Sequence, residues 1–115
     1  MLVVEDDPDV RELVGECLHE QCSVTLVENG PAALDAIARK PEDFDALVVD
    51  LEMPEMDGTE LIEELHHRHI HLPALILSAT PEAQERAQRA RADFLPKPFD
   101  VSCLQEKVER LLRVA

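Results

Sequence analysis

Four short apolar runs in this chain each lead into residues that could do chemistry. Leu2-Val3-Val4 is followed by Glu5-Asp6-Asp7, Ala46-Leu47-Val48-Val49 by Asp50, Ala74-Leu75-Ile76-Leu77 by Ser78, and Phe94-Leu95, after one proline, by Lys97. Brought together, these supply at least three carboxylates, a hydroxyl and an ammonium group. Carboxylates within several ångströms of one another raise each other's pKa and oppose folding. A hard divalent cation relieves that repulsion, and Mg²⁺ suits a site of one or two carboxylates, a carbonyl and waters. The set fits phosphoryl transfer. Asp50 would be the nucleophile, forming an acyl phosphate. Mg²⁺ would bridge carboxylate and phosphoryl oxygens, while Lys97 and Ser78 bind the other oxygens as charge spreads over them. A P-loop is excluded, because there is no GxxxxGK[ST] and Gly15, Gly30 and Gly58 are the only glycines. A single acid after a strand is ordinarily a solvated turn or a helix cap, and Asp7 is read as that. It is the coincidence at four strand ends that carries the chemical reading.

Positioning such residues requires their strand ends to meet at one edge, and the apolar pattern provides for it. Val10, Leu13, Val14, Cys17 and Leu18 fall at helical spacing, with Asp7 or Asp9 to cap the start. Val24–Val27 is a second strand, and Asn29-Gly30-Pro31 turns into a helix carrying Ala33, Leu34, Ile37 and Ala38. Ala46–Val49 and Ala74–Leu77 are apolar on both sides of the pleat, as buried parallel strands must be. Met53–Gly58 is a loop, and Leu61, Ile62 and Leu65 begin a third helix. Ala83, Ala87 and Ala90 give a weak fourth helix with a thin face. Val101, Leu104, Val108, Leu111 and Leu112 give a clear fifth. Five strands alternating with five helices predict an α/β doubly wound sheet, with right-handed crossovers and ligands at the carboxyl edge.

The chain has 115 residues, 45% of them hydrophobic, which suffices for one domain with a real core. Eleven Lys and Arg against 25 Asp and Glu leave a net charge of −14. That balance argues against direct nucleic-acid binding or adhesion to anionic lipid, both of which need cationic surface. There is no Trp or Tyr, so a flavodoxin-like flavin carrier lacks the aromatics to hold its ring. Three cysteines without CxxC spacing (Cys17, Cys22 and Cys103) read as structural thiols in a reduced, cytoplasmic setting. Met1 runs straight into an apolar strand with no basic segment before it, so no secretory leader is expected. No apolar stretch reaches the ~20 residues of a membrane span.

In the stretches VVEDD (Val3–Asp7), LVVDLEMPEMDG (Leu47–Gly58), LILSAT (Leu75–Thr80) and FLPKPF (Phe94–Phe99), the chain resembles a response-regulator receiver domain of two-component signalling, over essentially its whole length. The resemblance implies a flavodoxin-like sheet of order 2-1-3-4-5 and one receiver domain over 1–115 with no output domain. Such a domain is either a stand-alone regulator or part of a larger protein. It implies a Mg²⁺-dependent (or Mn²⁺-dependent) signalling switch that accepts a phosphoryl group on Asp50 from a histidine kinase, a phosphotransfer protein or a small acyl phosphate. Its catalysis would be confined to its own phosphorylation and dephosphorylation. The metal ligands would be Asp6 directly, Glu5 as the other member of the acidic pair, Asp50 and the backbone carbonyl of Glu52. Ser78 matches the switch hydroxyl, Phe94 the switch aromatic and Lys97 the site lysine, with a cis Lys97-Pro98 bond. A homodimer is compatible with this reading. The competing class is a constitutive protein-interaction module with a degenerate, unphosphorylated site.

Several residues depart from the family pattern. Glu52 places a carboxylate two residues after Asp50, where it either disfavours an incoming phosphoryl group or positions hydrolytic water. Phe94 lacks a hydroxyl, so a switch there works by packing alone. The Ser78–Lys97 span is about three residues short, roughly one turn of the fourth helix. Arg91 stands where a glycine turn is usual. The HHRHIH run (His66–His71) offers His67 and His71 at metal-ligand spacing but reads as a solvated helix end. Met53 and Met56 read as packing residues.

Overall fold

A computed structural model describes residues 1–114. Five parallel strands form one sheet in the order β2-β1-β3-β4-β5. They are β1 (Leu2–Val4), β2 (Thr25–Val27), β3 (Leu47–Asp50), β4 (Ala74–Ser78) and β5 (Asp93–Pro96). Between and after them run α1 (Pro8–Leu18), α2 (Gly30–Arg39), α3 (Gly58–His67), α4 (Ala83–Arg89) and α5 (Val101–Val114). The expected order 2-1-3-4-5 is observed. Strand limits move by a residue or so, and Asp50 and Ser78 are the last residues of their strands, as expected. A single 3₁₀ turn over Pro41–Asp43, not read from the sequence, precedes β3.

Strand alternation divides the core in two. Leu2, Val4, Leu47, Val49, Ala74 and Ile76 pack beneath α2, α3 and α4. Met1, Val3, Ala46, Val48, Leu75, Leu77 and Leu95 pack beneath α1 and α5. Both faces of β3 and β4 are buried, which is why their sequences are apolar without alternation. At the edge, β2 is largely exposed, with Leu26 at 42%. Three residues placed on core faces by their spacing point outward: Leu13 is 46% exposed, Val101 44%, and Ala38 is exposed as well. Each lies at the margin of its helix's apolar stripe, where a periodic pattern fixes direction least well. Cys17 and Cys22 are half-buried against the second core, but Cys103 is exposed, so burial does not account for that thiol.

The helix starts follow from local chemistry. The Asp7 side chain accepts from the amides of Asp9 and Val10, so it is the cap of α1. Asn29 caps α2 through the amide of Ala32, with Pro31 in the first turn. Asp57 and Glu60 form a reciprocal capping box on α3. By contrast, α4 has seven residues and no side-chain cap. Arg91, just beyond it, has φ 59°, a left-handed conformation that explains why glycine suits this turn. Helix α3 ends at His67 with Arg68 as its cap, as the solvated-end reading required. His66, not His67, faces His71, with ring centroids 5.0 Å apart. Met53 and Met56 pack against the first core, as expected. No helix of the described residues is long and apolar enough to cross a membrane.

Candidate functional site

Strand register assembles the site. Val4 pairs with Val49, so Glu5 emerges beside Asp50. Asp50 pairs with Leu77, which sets Ser78 one step further along. Ser78 pairs with Pro96, and the Lys97 amide donates to the Ser78 carbonyl at 2.9 Å. The strand end of β3 is held from above by Gly58, whose amide donates to the Leu51 carbonyl at 3.0 Å. A Cβ on Gly58 would stand 2.9 Å from the Asp50 carbonyl oxygen, so only glycine lets α3 approach this closely.

Glu5 and Asp50 are almost completely buried, at 1% and 3% exposure, whereas Asp6 is open to solvent. Lys97 reaches both buried acids. Its Nζ lies 3.1 Å from Asp50 Oδ1 and 3.4 Å from Glu5 Oε2. The Lys97-Pro98 bond is cis, as expected. One ammonium therefore serves two buried carboxylates. Burial, reinforced by the Glu5 charge and opposed by Lys97, pushes the Asp50 carboxyl up to about 7. Burial likewise raises Glu5 despite Lys97. Lys97 is held above its ordinary value, because the charges of Asp50 and Glu5 outweigh its own desolvation.

A divalent cation fits this donor set. Carboxylate oxygens of Glu5, Asp6 and Asp50 lie within 4.8 Å of one another. All are hard oxygen donors, one faces water, and the two buried ones carry more negative charge than Lys97 alone balances. Of the expected metal residues, Glu5, Asp6 and Asp50 are thus together. The Glu52 side chain is elsewhere: its Oε1 accepts hydrogen bonds from the hydroxyls of both Ser78 and Thr80. The Thr80 amide in turn donates to Ser78 Oγ at 2.9 Å. Burial would raise the Glu52 carboxyl, but the two hydroxyls and Lys97 hold it below its usual value. Ser78 is fully buried at the site's edge, and Phe94 is half-buried against the first core.

Three contributors were not singled out from the sequence. Arg11 Nη1 donates to the Glu5 carbonyl at 3.0 Å and braces the end of β1. Thr80 joins Ser78 on Glu52; its place two residues after Ser78 was a signal available in the SAT triplet. Arg86 of α4 bonds Asp57 Oδ2 at 2.7 Å and Thr59 Oγ1 at 2.8 Å, so α4 is tied to the cap of α3. No sequence pattern marks that contact.

A family model described as the response regulator receiver domain matches residues 1–109. The response regulator MprA of Mycobacterium sp. (strain KMS) is 39% identical over 117 residues, covering 98% of this chain and 50% of the relative. The sensor histidine kinase TmoS of Ectopseudomonas mendocina is 32% identical over 117 residues, covering 97% of this chain and 12% of that protein. The chain thus spans half or less of the length of these relatives. Among solved structures, the receiver domain of NtrX from Brucella abortus superposes with a TM-score of 0.87 at 30% identity, over 99% of this chain and 98% of that one.

Proposed function

The chain belongs to the response-regulator receiver family, and on that footing we propose that it is a phosphorylation-controlled signalling switch whose acceptor is Asp50. The observation that carries this reading is the placement of Asp50: buried at a strand end, bonded to Lys97, and flanked by Glu5 and Asp6. A carboxylate oxygen of Asp50 attacks the phosphorus of a phosphohistidine or a small acyl phosphate. The new O–P bond forms as the bond from phosphorus to the donor breaks, and the imidazole or carboxylate leaves with the electron pair. Lys97 favours the ionised form of the attacking carboxyl against the effect of burial and orients it, and its ammonium lies where phosphoryl oxygens gather charge. When bound, Mg²⁺ or Mn²⁺ would neutralise the crowded acids and the transferring group, held by Asp6, Asp50, Glu5 and the Glu52 backbone carbonyl. Ser78 then donates to a phosphoryl oxygen and Phe94 repacks behind it, biasing a two-state equilibrium. The donor is a histidine kinase or phosphotransfer protein, and the setting is cytoplasmic.

Beryllofluoride, a phosphoryl mimic, tests this reading. With Mg²⁺ present it should bind the wild-type chain and shift its NMR resonances around Asp50, Ser78 and Phe94, while Asp50→Ala shows no shift. Equal indifference of both proteins to the mimic would favour the inert interaction module.

A further inference from the structure

We propose that the Glu52 carboxylate is an internal competitor for the phosphoryl group, holding Ser78 and Thr80 in the unphosphorylated chain and yielding them when Asp50 is modified. The inference rests on the phosphoryl-acceptor reading of Asp50 and adds a regulator to that site. A hydroxyl has one proton to give. In this structure the Ser78 proton goes to Glu52 Oε1, and a Ser78 lone pair is taken by the Thr80 amide at 2.9 Å. Nothing of Ser78 is left for a phosphoryl oxygen. The Thr80 hydroxyl ends on the same Glu52 oxygen. One anionic acceptor therefore ties the loop after β3 to the loop after β4, two residues from the acceptor aspartate on one side and at the switch serine on the other. A phosphoryl group on Asp50 offers Ser78 anionic oxygens of the same hydrogen-bonding kind, so the two acceptors exchange for one donor. Glu52 is displaced both by that exchange and by repulsion between like charges. Its release also frees Thr80, which leads into the uncapped start of α4. The loop that carries Ser78 and Thr80 is thus the loop that Glu52 holds.

Glu52 is exposed and Thr80 half-exposed, so substitutions there leave the core intact. The test uses the whole chain with Mg²⁺ and measures beryllofluoride affinity and the initial rate of phosphoryl gain from acetyl phosphate. Glu52→Ala removes the competitor and should improve both by about tenfold, the worth of a charge-assisted hydrogen bond. Thr80→Val leaves the Glu52 charge but removes one of its two donors, and should improve both by about threefold on the same scale. In the Glu52→Ala background, Thr80→Val should add nothing, because the partner is already gone. Glu52→Gln keeps an acceptor without the charge and should fall between wild type and Glu52→Ala. If Glu52→Gln equals Glu52→Ala while Thr80→Val equals wild type, simple repulsion explains Glu52 and the competitor is overturned. Variants indistinguishable from a wild type that does bind beryllofluoride also overturn it. No binding by wild type and Glu52→Ala alike would instead remove the phosphoryl-acceptor reading beneath it.

Discussion

Asp50 and Glu5 are buried side by side with one ammonium between them, so the pocket carries an unbalanced charge in the absence of metal. Burying like charges with one counter-ion opposes folding. Asp50→Asn removes one of the charges, conserves volume and leaves Lys97 its bond to Glu5. In metal-free buffer the variant should be more stable than wild type by about 1–2 kcal/mol, read from urea midpoints. Added Mg²⁺ should stabilise wild type, by about 2.7 kcal/mol at a hundredfold excess over its Kd, and the variant far less. A variant less stable than wild type in metal-free buffer would contradict this electrostatic account. Residue identities at the strand ends were legible in the sequence because short apolar runs leave little doubt about where a strand stops. The direction of the Glu52 side chain was not. A loop residue's orientation is set by which donors surround it, and Ser78 and Thr80 are distant in sequence.

Among the elements, α3 bears most directly on Asp50, since its first residue, Gly58, packs on the end of β3. Its start is fixed by Asp57. Burial would raise the Asp57 carboxyl, but the Glu60 amide, the Arg86 guanidinium and the Thr59 hydroxyl together hold it below its ordinary 3.8. A carboxyl lowered in the folded state stabilises the fold above its unfolded pKa, and that contribution is lost as pH falls through the folded value. Asp57→Ala should therefore destabilise the chain by about 1 kcal/mol at pH 7, with the gap to wild type closing below about pH 4 in denaturation curves. A gap that persists in acid would assign the loss to packing instead.

Helix α4 has only seven residues, and Arg91, at a position where a glycine turn was expected, closes it in a left-handed conformation. Arg91→Gly should be neutral or stabilise the fold by up to about 1 kcal/mol in thermal melts. A clear loss would mean that the Arg91 side chain supports the turn. Strands β3 and β4 were legible because both their faces are buried. Leu13, Ala38 and Val101 were misplaced because an apolar stripe has margins that only the packed neighbours define. The 3₁₀ turn at Pro41–Asp43 has too few residues to carry a period at all.

At the scale of the whole molecule, the sheet order brings residues 5, 6, 50 and 97 from three strand ends into one pocket, with Ser78 at its edge. The net charge of −14 surrounds that pocket with a field that favours small cations over anions. On the proposed reading, an anionic phosphodonor would need its charge met locally, by Lys97 and by a divalent ion. The central claim is that this pocket accepts one phosphoryl group, on Asp50, and only with a divalent ion present. Intact-mass spectrometry after incubation with acetyl phosphate addresses it most directly. Wild type with Mg²⁺ should gain the mass of one phosphoryl group, and wild type with chelator or Asp50→Ala with Mg²⁺ should gain none. An equal gain by Asp50→Ala, or no gain by wild type with Mg²⁺, would contradict the account.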